Sequence, residues 1–261
     1  MTDTPTEPGR SPQPGAPSSA SGSGPARQRR SGRFFNLPGQ RDAAPAGATG
    51  LGMDNGRRIG ITLWNSFYRP RLLHTDRIPA DEPLVFVANH TNYVDGAVLF
   101  GLLPRRISFL IKAEAVRGPL GWLLTAVGQY AIKRGVPDRR PMLDALDQLK
   151  RGGCVGIFPE GTRGDGLVAN VFSGAGWLAV RSGARVQPVA IRGTARPAGR
   201  SKWRRRLRPK VYLWCGEPFT VNSGPEQLRG KKAVDAATAE IQQRLVALVG
   251  ELDQQLQKGL S

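Results

Sequence analysis

The chain has 261 residues and a formal net charge of +18 at pH 7, a length that suits one large domain or two small ones. Its two cysteines, Cys154 and Cys215, lie in separate apolar runs, which excludes a disulfide framework and a CxxC metal motif and favours a reducing compartment. No stretch resembles a signal peptide or an apolar run of about 18 residues, so we expect any membrane contact to be monotopic.

Residues 1–56 are rich in Pro, Gly, Ser and Ala. A segment of this composition buries too little apolar surface to offset chain entropy, so we predict a disordered tail. The tail holds six basic and four acidic residues, and +16 of the net charge therefore belongs to residues 57–261, the predicted folded domain. A positive field attracts nucleic acids, anionic lipids or phosphorylated substrates, and charge does not choose among them.

The predicted domain begins with an Arg-flanked segment at 57–73. Apolar residues recur there at helical spacing, namely Ile59, Leu63, Trp64 and Phe67. Aromatic and aliphatic side chains between arginines suit a helix in a membrane interface, but the same stripe would also suit a helix packed on the domain's own core. The sequence leaves both interpretations open.

Short apolar runs then alternate with helical stretches. The runs, which are typical of strands buried on both faces, lie at 84–90, 107–111, 129–134, 154–161, 185–191 and 210–215. The helical stretches lie at 95–103, 118–127, 138–151 and 174–182. This alternation predicts an α/β fold with a mostly parallel, buried sheet flanked by helices. A further apolar stripe predicts a C-terminal helical segment at 226–258.

One of the two histidines follows a predicted strand directly. His90 stands where α/β proteins bind ligands, and Asp95 opens the next helix. The carboxylate can fix the imidazole tautomer and leave the second ring nitrogen as a base, with Asn89 and Asn92 as candidate caps of the turn. A purely structural pair would look the same. His74 has no evident partner and is interpreted as a surface or linker residue.

A second polar group follows the strand predicted at 154–161. The segment FPEGTR at 158–163 combines a carboxylate, a flexible glycine, a hydroxyl and a guanidinium. These groups can hold a phosphorylated, hydroxyl-bearing substrate, although an ordinary turn with a surface arginine would also account for them. Lys133 and Arg134 add positive charge at a third strand end.

Four segments together resemble the glycerophospholipid acyltransferase family, which contains 1-acylglycerol-3-phosphate acyltransferase. NHTNYVD at 89–95 resembles its NHxxxxD motif, GQYAIKR at 128–134 its GxxFxxR block, FPEGTR its third block and VQPVAI at 186–191 its proline-containing fourth. Four motifs in the family's order are far more specific than any one of them. The resemblance covers about residues 57–220. Ala131 replaces the usual Phe of the second block, a departure that affects the expected acceptor pocket more than the expected reaction.

The resemblance implies that residues 57–261 form a membrane-associated O-acyltransferase domain of phospholipid biosynthesis. His90 would take the proton from the hydroxyl of lysophosphatidate or a related lysophospholipid while that oxygen attacks an acyl thioester, and Asp95 would support the imidazolium. The implied substrate-binding residues are Arg134 and Arg163 for phosphate, and Glu160, Gly161 and Thr162 for the glycerol. No metal or cofactor is implied, and acyl-CoA or acyl-carrier protein would be the co-substrate.

Two alternatives stay open in the sequence. A member of the same family could act on a glycolipid or another lysolipid, which the Ala131 departure allows. A nucleic-acid-binding protein is suggested by the basic run at 196–210, but no RNP, KH, zinc-finger or helix-turn-helix signature accompanies it. The run would equally bind anionic lipid or acyl-CoA phosphates. We therefore expect no nucleic-acid partner, and an enzyme attached peripherally to the cytoplasmic face of the cell membrane.

Overall fold

The computed structural model describes Met1 and residues 42–115, 118–132, 139–161, 164–169, 171–195, 208–222 and 228–259. Its strands are β1 (Arg69–Leu73), β2 (Leu84–Ala88), β3 (Ile107–Lys112), β4 (Tyr130–Ile132), β5 (Cys154–Ile157), β6 (Arg185–Arg192) and β7 (Lys210–Cys215). Its α-helices are α1 (Gly50–Phe67), α2 (Asp95–Leu102), α3 (Gly118–Ala126), α4 (Arg140–Lys150), α5 (Gly174–Ser182) and α6 (Gly230–Gln257). Single 3-10 turns occur at Thr75–Arg77 and Ala113–Ala115.

The seven strands form one sheet in the order β1-β7-β6-β2-β5-β3-β4. The five strands from β2 to β6 run parallel to one another, whereas β7 pairs antiparallel with β6 and parallel with β1. The predicted α/β fold with a mostly parallel buried sheet is confirmed. Its parallel strands place their carboxyl ends at one edge, which we call the carboxyl edge.

Helices cover both faces of the sheet. Leu84, Phe86 and Ala88 of β2 pack into the core that α2 and part of α1 cover. Val85 and Val87 point to the opposite core, which α4, α5 and α6 cover. Successive side chains of a strand alternate between faces, and here both faces are buried, so the strands appear in the sequence as unbroken apolar runs.

Helix α1 packs closely and antiparallel against α2. A Cβ atom at Gly60 would lie 3.2 Å from the Cα atom of Gly101, so small residues allow the close approach. Nearer the end of α1, the indole Nε1 of Trp64 donates to the carbonyl oxygen of Ala97 at 2.9 Å. The C-terminal end of α1 therefore lies beside the start of α2, at the carboxyl edge of the sheet.

The predicted boundary between residues 56 and 57 is wrong. Helix α1 begins at Gly50, Met53 is fully buried, and Asp42 is buried in an ion pair with Arg105. Composition misled the prediction because these residues are anchored by charge pairing rather than by a long apolar stripe. The disordered tail predicted for residues 2–41 lies outside the described residues.

Two predicted helical segments have shifted bounds. The segment predicted at 57–73 is helical only to Phe67, and Arg69–Leu73 forms strand β1. Pro70 is compatible with this strand because β1 lies at the edge of the sheet, where a missing backbone donor is tolerated. The C-terminal helix, Gly230–Gln257, falls within the segment predicted at 226–258.

Candidate active site

The carboxyl edge gathers polar side chains from several strands. His90 follows β2, the segment from Phe158 to Gly161 follows β5, and Thr194 follows β6. The order of the sheet places β2 between β5 and β6, so these three connections are neighbours. Residues far apart in the chain therefore meet at this edge. Asp95 and Thr194, for example, are 99 positions apart.

His90 and Asp95 form the predicted pair. The ring Nδ1 of His90 lies 3.0 Å from Oδ2 of Asp95, whose side chain is completely buried, while the His90 side chain is 19% exposed. A carboxylate can only accept a hydrogen bond, so Nδ1 must carry the proton when the ring is neutral. Within the described part of the chain, no hydrogen bond is formed by Nε2, so this nitrogen is available as a base.

The carboxylate of Asp95 is held by several donors. Its Oδ2 accepts backbone N–H bonds from Thr91 and Asn92, both at 2.7 Å. Its Oδ1 accepts a hydrogen bond from the hydroxyl of Thr194 at 2.5 Å. Asp95 is also the first residue of α2, where the helix dipole favours a negative charge. These contacts give both oxygens of the buried carboxylate hydrogen-bond partners and fix its orientation toward His90.

The backbone of His90 is tied to the loop that follows β5. The N–H of His90 donates to Oε1 of Glu160 at 2.8 Å, and its carbonyl oxygen accepts from the N–H of Gly164 at 3.1 Å. Burial raises the pKa of Glu160, and the hydrogen bond from His90 opposes that rise. Glu160 therefore supports the backbone of the proposed base in the structure.

Phe158 is a site residue to which the sequence analysis gave no role. Its ring stacks on the His90 imidazole with a centroid distance of 4.2 Å and an interplanar angle of 19°. It also stacks on Phe109 at 5.5 Å, which connects the imidazole to the core. The signal in the sequence was the position of Phe158 directly after a buried strand, next to the polar PEGTR residues.

The two asparagines do not cap the turn as proposed. The Asn89 side chain bonds to the N–H and carbonyl of Ile191, at 2.8 and 3.1 Å, and so joins β2 to β6. The Asn92 side chain donates to the carbonyl oxygen of Thr194 at 2.6 Å. The capping expectation was wrong because both side chains reach across the sheet, and the Asp95 carboxylate closes the turn.

The predicted substrate-binding residues divide into two groups. Glu160 bonds to the backbone of His90, and Gly161 follows it with a φ of +65°, a left-handed conformation that favours glycine. Arg134, Thr162 and Arg163 lie outside the described residues, so their assigned roles stay predictions.

Other reactive groups lie away from this pair. His74, interpreted as a surface or linker residue, is half-buried, and burial lowers its pKa. Its ring contacts that of Trp214 in a tilted arrangement, with a centroid distance of 4.7 Å. Cys154 and Cys215 are fully buried, which raises the pKa of each thiol to about 12. Among the described residues, no cluster of three His, Cys, Asp or Glu side chains could hold a metal ion.

The geometry is that of a general base oriented by a carboxylate. Nε2 can accept a proton from a hydroxyl brought to the carboxyl edge, and the charge that then develops on the ring is balanced by Asp95 at the other nitrogen.

Comparison with known proteins gives one family and several relatives. A family model described as Acyltransferase matches residues 70–192. The chain is 35% identical over 172 residues to a 1-acyl-sn-glycerol-3-phosphate acyltransferase of Chlamydomonas reinhardtii, covering 62% of this chain and 50% of the relative. It is 42% identical over 113 residues to a lyso-ornithine lipid O-acyltransferase of Pseudomonas aeruginosa, covering 42% of this chain and 43% of the relative. The chain thus spans half or less of the length of these two relatives.

A solved structure shares the fold. The crystal structure of the 1-acyl-sn-glycerophosphate (LPA) acyltransferase PlsC from Thermotoga maritima aligns with a TM-score of 0.59 and 26% sequence identity, covering 77% of this chain and 79% of that one.

Proposed function

Because the chain belongs to the acyltransferase family, we propose that it transfers an acyl chain from a thioester to the hydroxyl of lysophosphatidate or a related lysophospholipid in phospholipid biosynthesis. The observation that carries the proposal is the His90–Asp95 pair, with Nδ1 on the buried carboxylate and Nε2 available at the carboxyl edge. A general base of this kind is what a hydroxyl acceptor requires.

The proposed reaction needs no covalent enzyme intermediate. Nε2 of His90 takes the proton of the acceptor hydroxyl as that oxygen attacks the thioester carbonyl. The tetrahedral intermediate then collapses, the carbon–sulfur bond breaks, and the leaving thiolate takes the proton back from the imidazolium. Asp95 stays ionised and stabilises the imidazolium. Both cysteine thiols are buried and protonated, so neither is suited to act as a nucleophile.

The phosphate of the acceptor would be bound by Arg134 and Arg163, and Glu160, Gly161 and Thr162 would shape the glycerol site. The relative from Chlamydomonas reinhardtii, a 1-acyl-sn-glycerol-3-phosphate acyltransferase, supports a phosphorylated acceptor. Charge-assisted bonds from guanidinium groups to phosphate suit that role.

A second candidate acceptor is a lysolipid of different headgroup. The 42% identity to a lyso-ornithine lipid O-acyltransferase favours it, and Ala131 in place of the family's Phe allows a different acceptor pocket. The same base chemistry would serve either acceptor, because both reactions esterify a hydroxyl.

The donor would be acyl-CoA or an acyl-carrier protein, and the enzyme would work peripherally at the cytoplasmic face of the membrane. Support comes from α1, whose exposed residues Ile59, Leu63 and Phe67 recur every four positions. Because the C-terminal end of α1 lies at the carboxyl edge, Phe67 is near the same edge as His90. None of the described helices is both long and apolar enough to cross a membrane.

The test is a product assay with the purified chain. Vesicles containing lysophosphatidate, another lysophospholipid or lyso-ornithine lipid are incubated with acyl-CoA or acyl-carrier protein, and the lipid products are identified by mass spectrometry. We expect acylated product from one acceptor class with wild type and none with His90→Ala. No product from any combination, from a folded wild-type chain, would contradict the proposal.

A further inference from the structure

Thr194 lies in the connection after β6, beyond the four motifs and just beyond the family match at residues 70–192. Gly193 precedes it with a φ of +94°, and a Cβ atom there would clash with the carbonyl oxygen of Lys210. Only glycine fits that position without displacing backbone. The chain can therefore turn sharply at the end of β6 and bring residue 194 back to the turn that follows β2.

Three polar contacts join Thr194 to that turn. Its hydroxyl donates to Oδ1 of Asp95 at 2.5 Å, and its carbonyl oxygen accepts from the side-chain amide of Asn92 at 2.6 Å. Its hydroxyl oxygen also lies 3.2 Å from that of Thr91. Thr194 is 5% exposed, so water does not readily replace these bonds.

The two carboxylate oxygens of Asp95 have different surroundings. Oδ2 receives the N–H groups of Thr91 and Asn92 in addition to Nδ1 of His90. Oδ1, by contrast, receives Thr194, which supplies its one hydrogen bond in the part of the chain that the structure describes. Because Thr194 holds the oxygen that the other donors do not reach, its hydroxyl adds a separate restraint on rotation of the carboxylate and helps to keep Oδ2 aimed at the imidazole.

We propose that Thr194 is a positioning residue for acyl transfer, whose hydroxyl orients Asp95 and thereby the His90 base; the inference rests on the proposed function. Thr194 does not touch the reacting atoms. Its loss should reduce the chemical step and leave substrate binding unchanged, because Thr194 is buried on the side of Asp95 that faces away from His90 Nδ1 and is not among the residues proposed to bind the acceptor.

The kinetic test compares Thr194→Val, which keeps the shape and removes the hydroxyl, with Thr194→Ser, which keeps the hydroxyl. We expect kcat of Thr194→Val to fall about tenfold, equivalent to about 1.4 kcal/mol, with unchanged KM for both substrates. Thr194→Ser should restore most of kcat. The matched control is Thr238→Val, which removes a half-buried hydroxyl that donates to Val234 within α6. Equal kcat for the Thr194→Val and Thr238→Val variants, or a loss that serine does not restore, would overturn the inference.

A measurement without turnover separates this inference from the proposed function. The chain has only two histidines, so ring ¹⁵N signals of His90 can be assigned by comparison with His90→Ala. In wild type, Nδ1 should carry the proton in the neutral ring, with a slowly exchanging proton held by Asp95. In Thr194→Val, we expect the Nδ1 proton to exchange faster and the Nδ1 shift to move. A spectrum identical to that of wild type would refute the positioning role, whether or not the substrate panel gives product.

Discussion

Nδ1 of His90 lies 3.0 Å from Oδ2 of Asp95, and the carboxylate that it meets is fully buried. His90→Ala should abolish transfer, since loss of a general base costs on the order of a hundredfold or more. Asp95→Asn should also cut kcat severely, because an amide can no longer fix the tautomer that leaves Nε2 as the base. Initial rates, measured on variants whose folding is checked by circular dichroism, test both.

The control for this prediction is the other histidine. His74 has a left-handed backbone with a φ of 57°, which asparagine tolerates, and its ring contacts Trp214 away from the pair. His74→Asn should therefore retain activity per folded molecule. Near wild-type activity in folded His90→Ala would contradict the proposed mechanism.

Glu160 predicts a pH dependence of stability. Burial raises the pKa of its carboxyl in the folded chain, so the folded state binds this proton more tightly than the unfolded state does. The stabilisation is present at low pH and is lost as pH rises through the folded pKa. Glu160→Gln keeps an oxygen to accept the N–H of His90 but does not titrate. The free energy of unfolding of Glu160→Gln, relative to wild type, should increase as pH rises above the ordinary glutamate pKa of about 4.3, measured by urea titration. Parallel pH curves for the two proteins would contradict this prediction.

The two cysteines should be inert in the folded chain. Cys154 and Cys215 are completely buried, and burial raises each thiol pKa to about 12, so the reactive thiolate is scarce at neutral pH. Ellman's reagent should detect no thiol in the native chain at pH 8 and both thiols in guanidinium chloride, and iodoacetamide should leave acyl transfer unchanged. Rapid labelling of the native chain together with loss of activity would contradict this prediction and indicate a reactive cysteine.

The residues just before α1 should matter for stability. Nε and Nη2 of Arg105 donate hydrogen bonds to Oδ1 of Asp42, at 3.0 and 2.6 Å. Both side chains are almost fully buried. Asp42→Ala leaves the Arg105 charge buried without its counter-ion, which should cost about 3–5 kcal/mol in urea unfolding. Asp147→Ala removes an exposed pair with Arg151 and should cost at most about 0.5 kcal/mol. Equal losses in the two variants would contradict the anchoring role of Asp42.

Local patterns predicted the fold well where periodicity and burial agree. The helix at 174–182 and the strand at 210–215 have the predicted bounds, because apolar spacing over a few residues determines which face is buried. His90 and Asp95 were found in the same way, since strand ends and helix starts are local features.

Features that depend on distant partners were missed. Strand β1 contains Pro70 and is stabilised by parallel pairing with β7, whose register joins Leu72 to Leu213. Asp42 is buried because Arg105 meets it from another part of the chain. Thr194 reaches Asp95 across 99 positions. A single sequence contains no periodic signal for such contacts, because polar pairing follows tertiary geometry and not a repeat.

The exposed side of α1 gives the last prediction, which concerns membrane attachment. The helix buries Met53 and Arg57 near its start, yet leaves Ile59, Leu63 and Phe67 exposed at 67%, 43% and 61%. Exposed Arg58 and Arg69 flank these residues. Apolar insertion is nearly insensitive to salt, whereas each basic residue near an anionic surface contributes about 1 kcal/mol that salt screens. We therefore expect binding to anionic vesicles that weakens with salt but is not abolished.

The variant that tests attachment replaces Ile59, Leu63 and Phe67 together by serine. Because all three side chains are exposed, the fold should persist while the vesicle-bound fraction and the activity on vesicle-embedded acceptor both fall. The control is Leu143→Ser, which removes an exposed leucine of α4 on the opposite face of the sheet and should change neither. Flotation of wild type and both variants with neutral and anionic vesicles, at low and high salt, separates apolar insertion from charge attraction. Full binding of the triple variant would refute insertion through α1, and equal, salt-independent affinity for neutral and anionic vesicles would refute the electrostatic part.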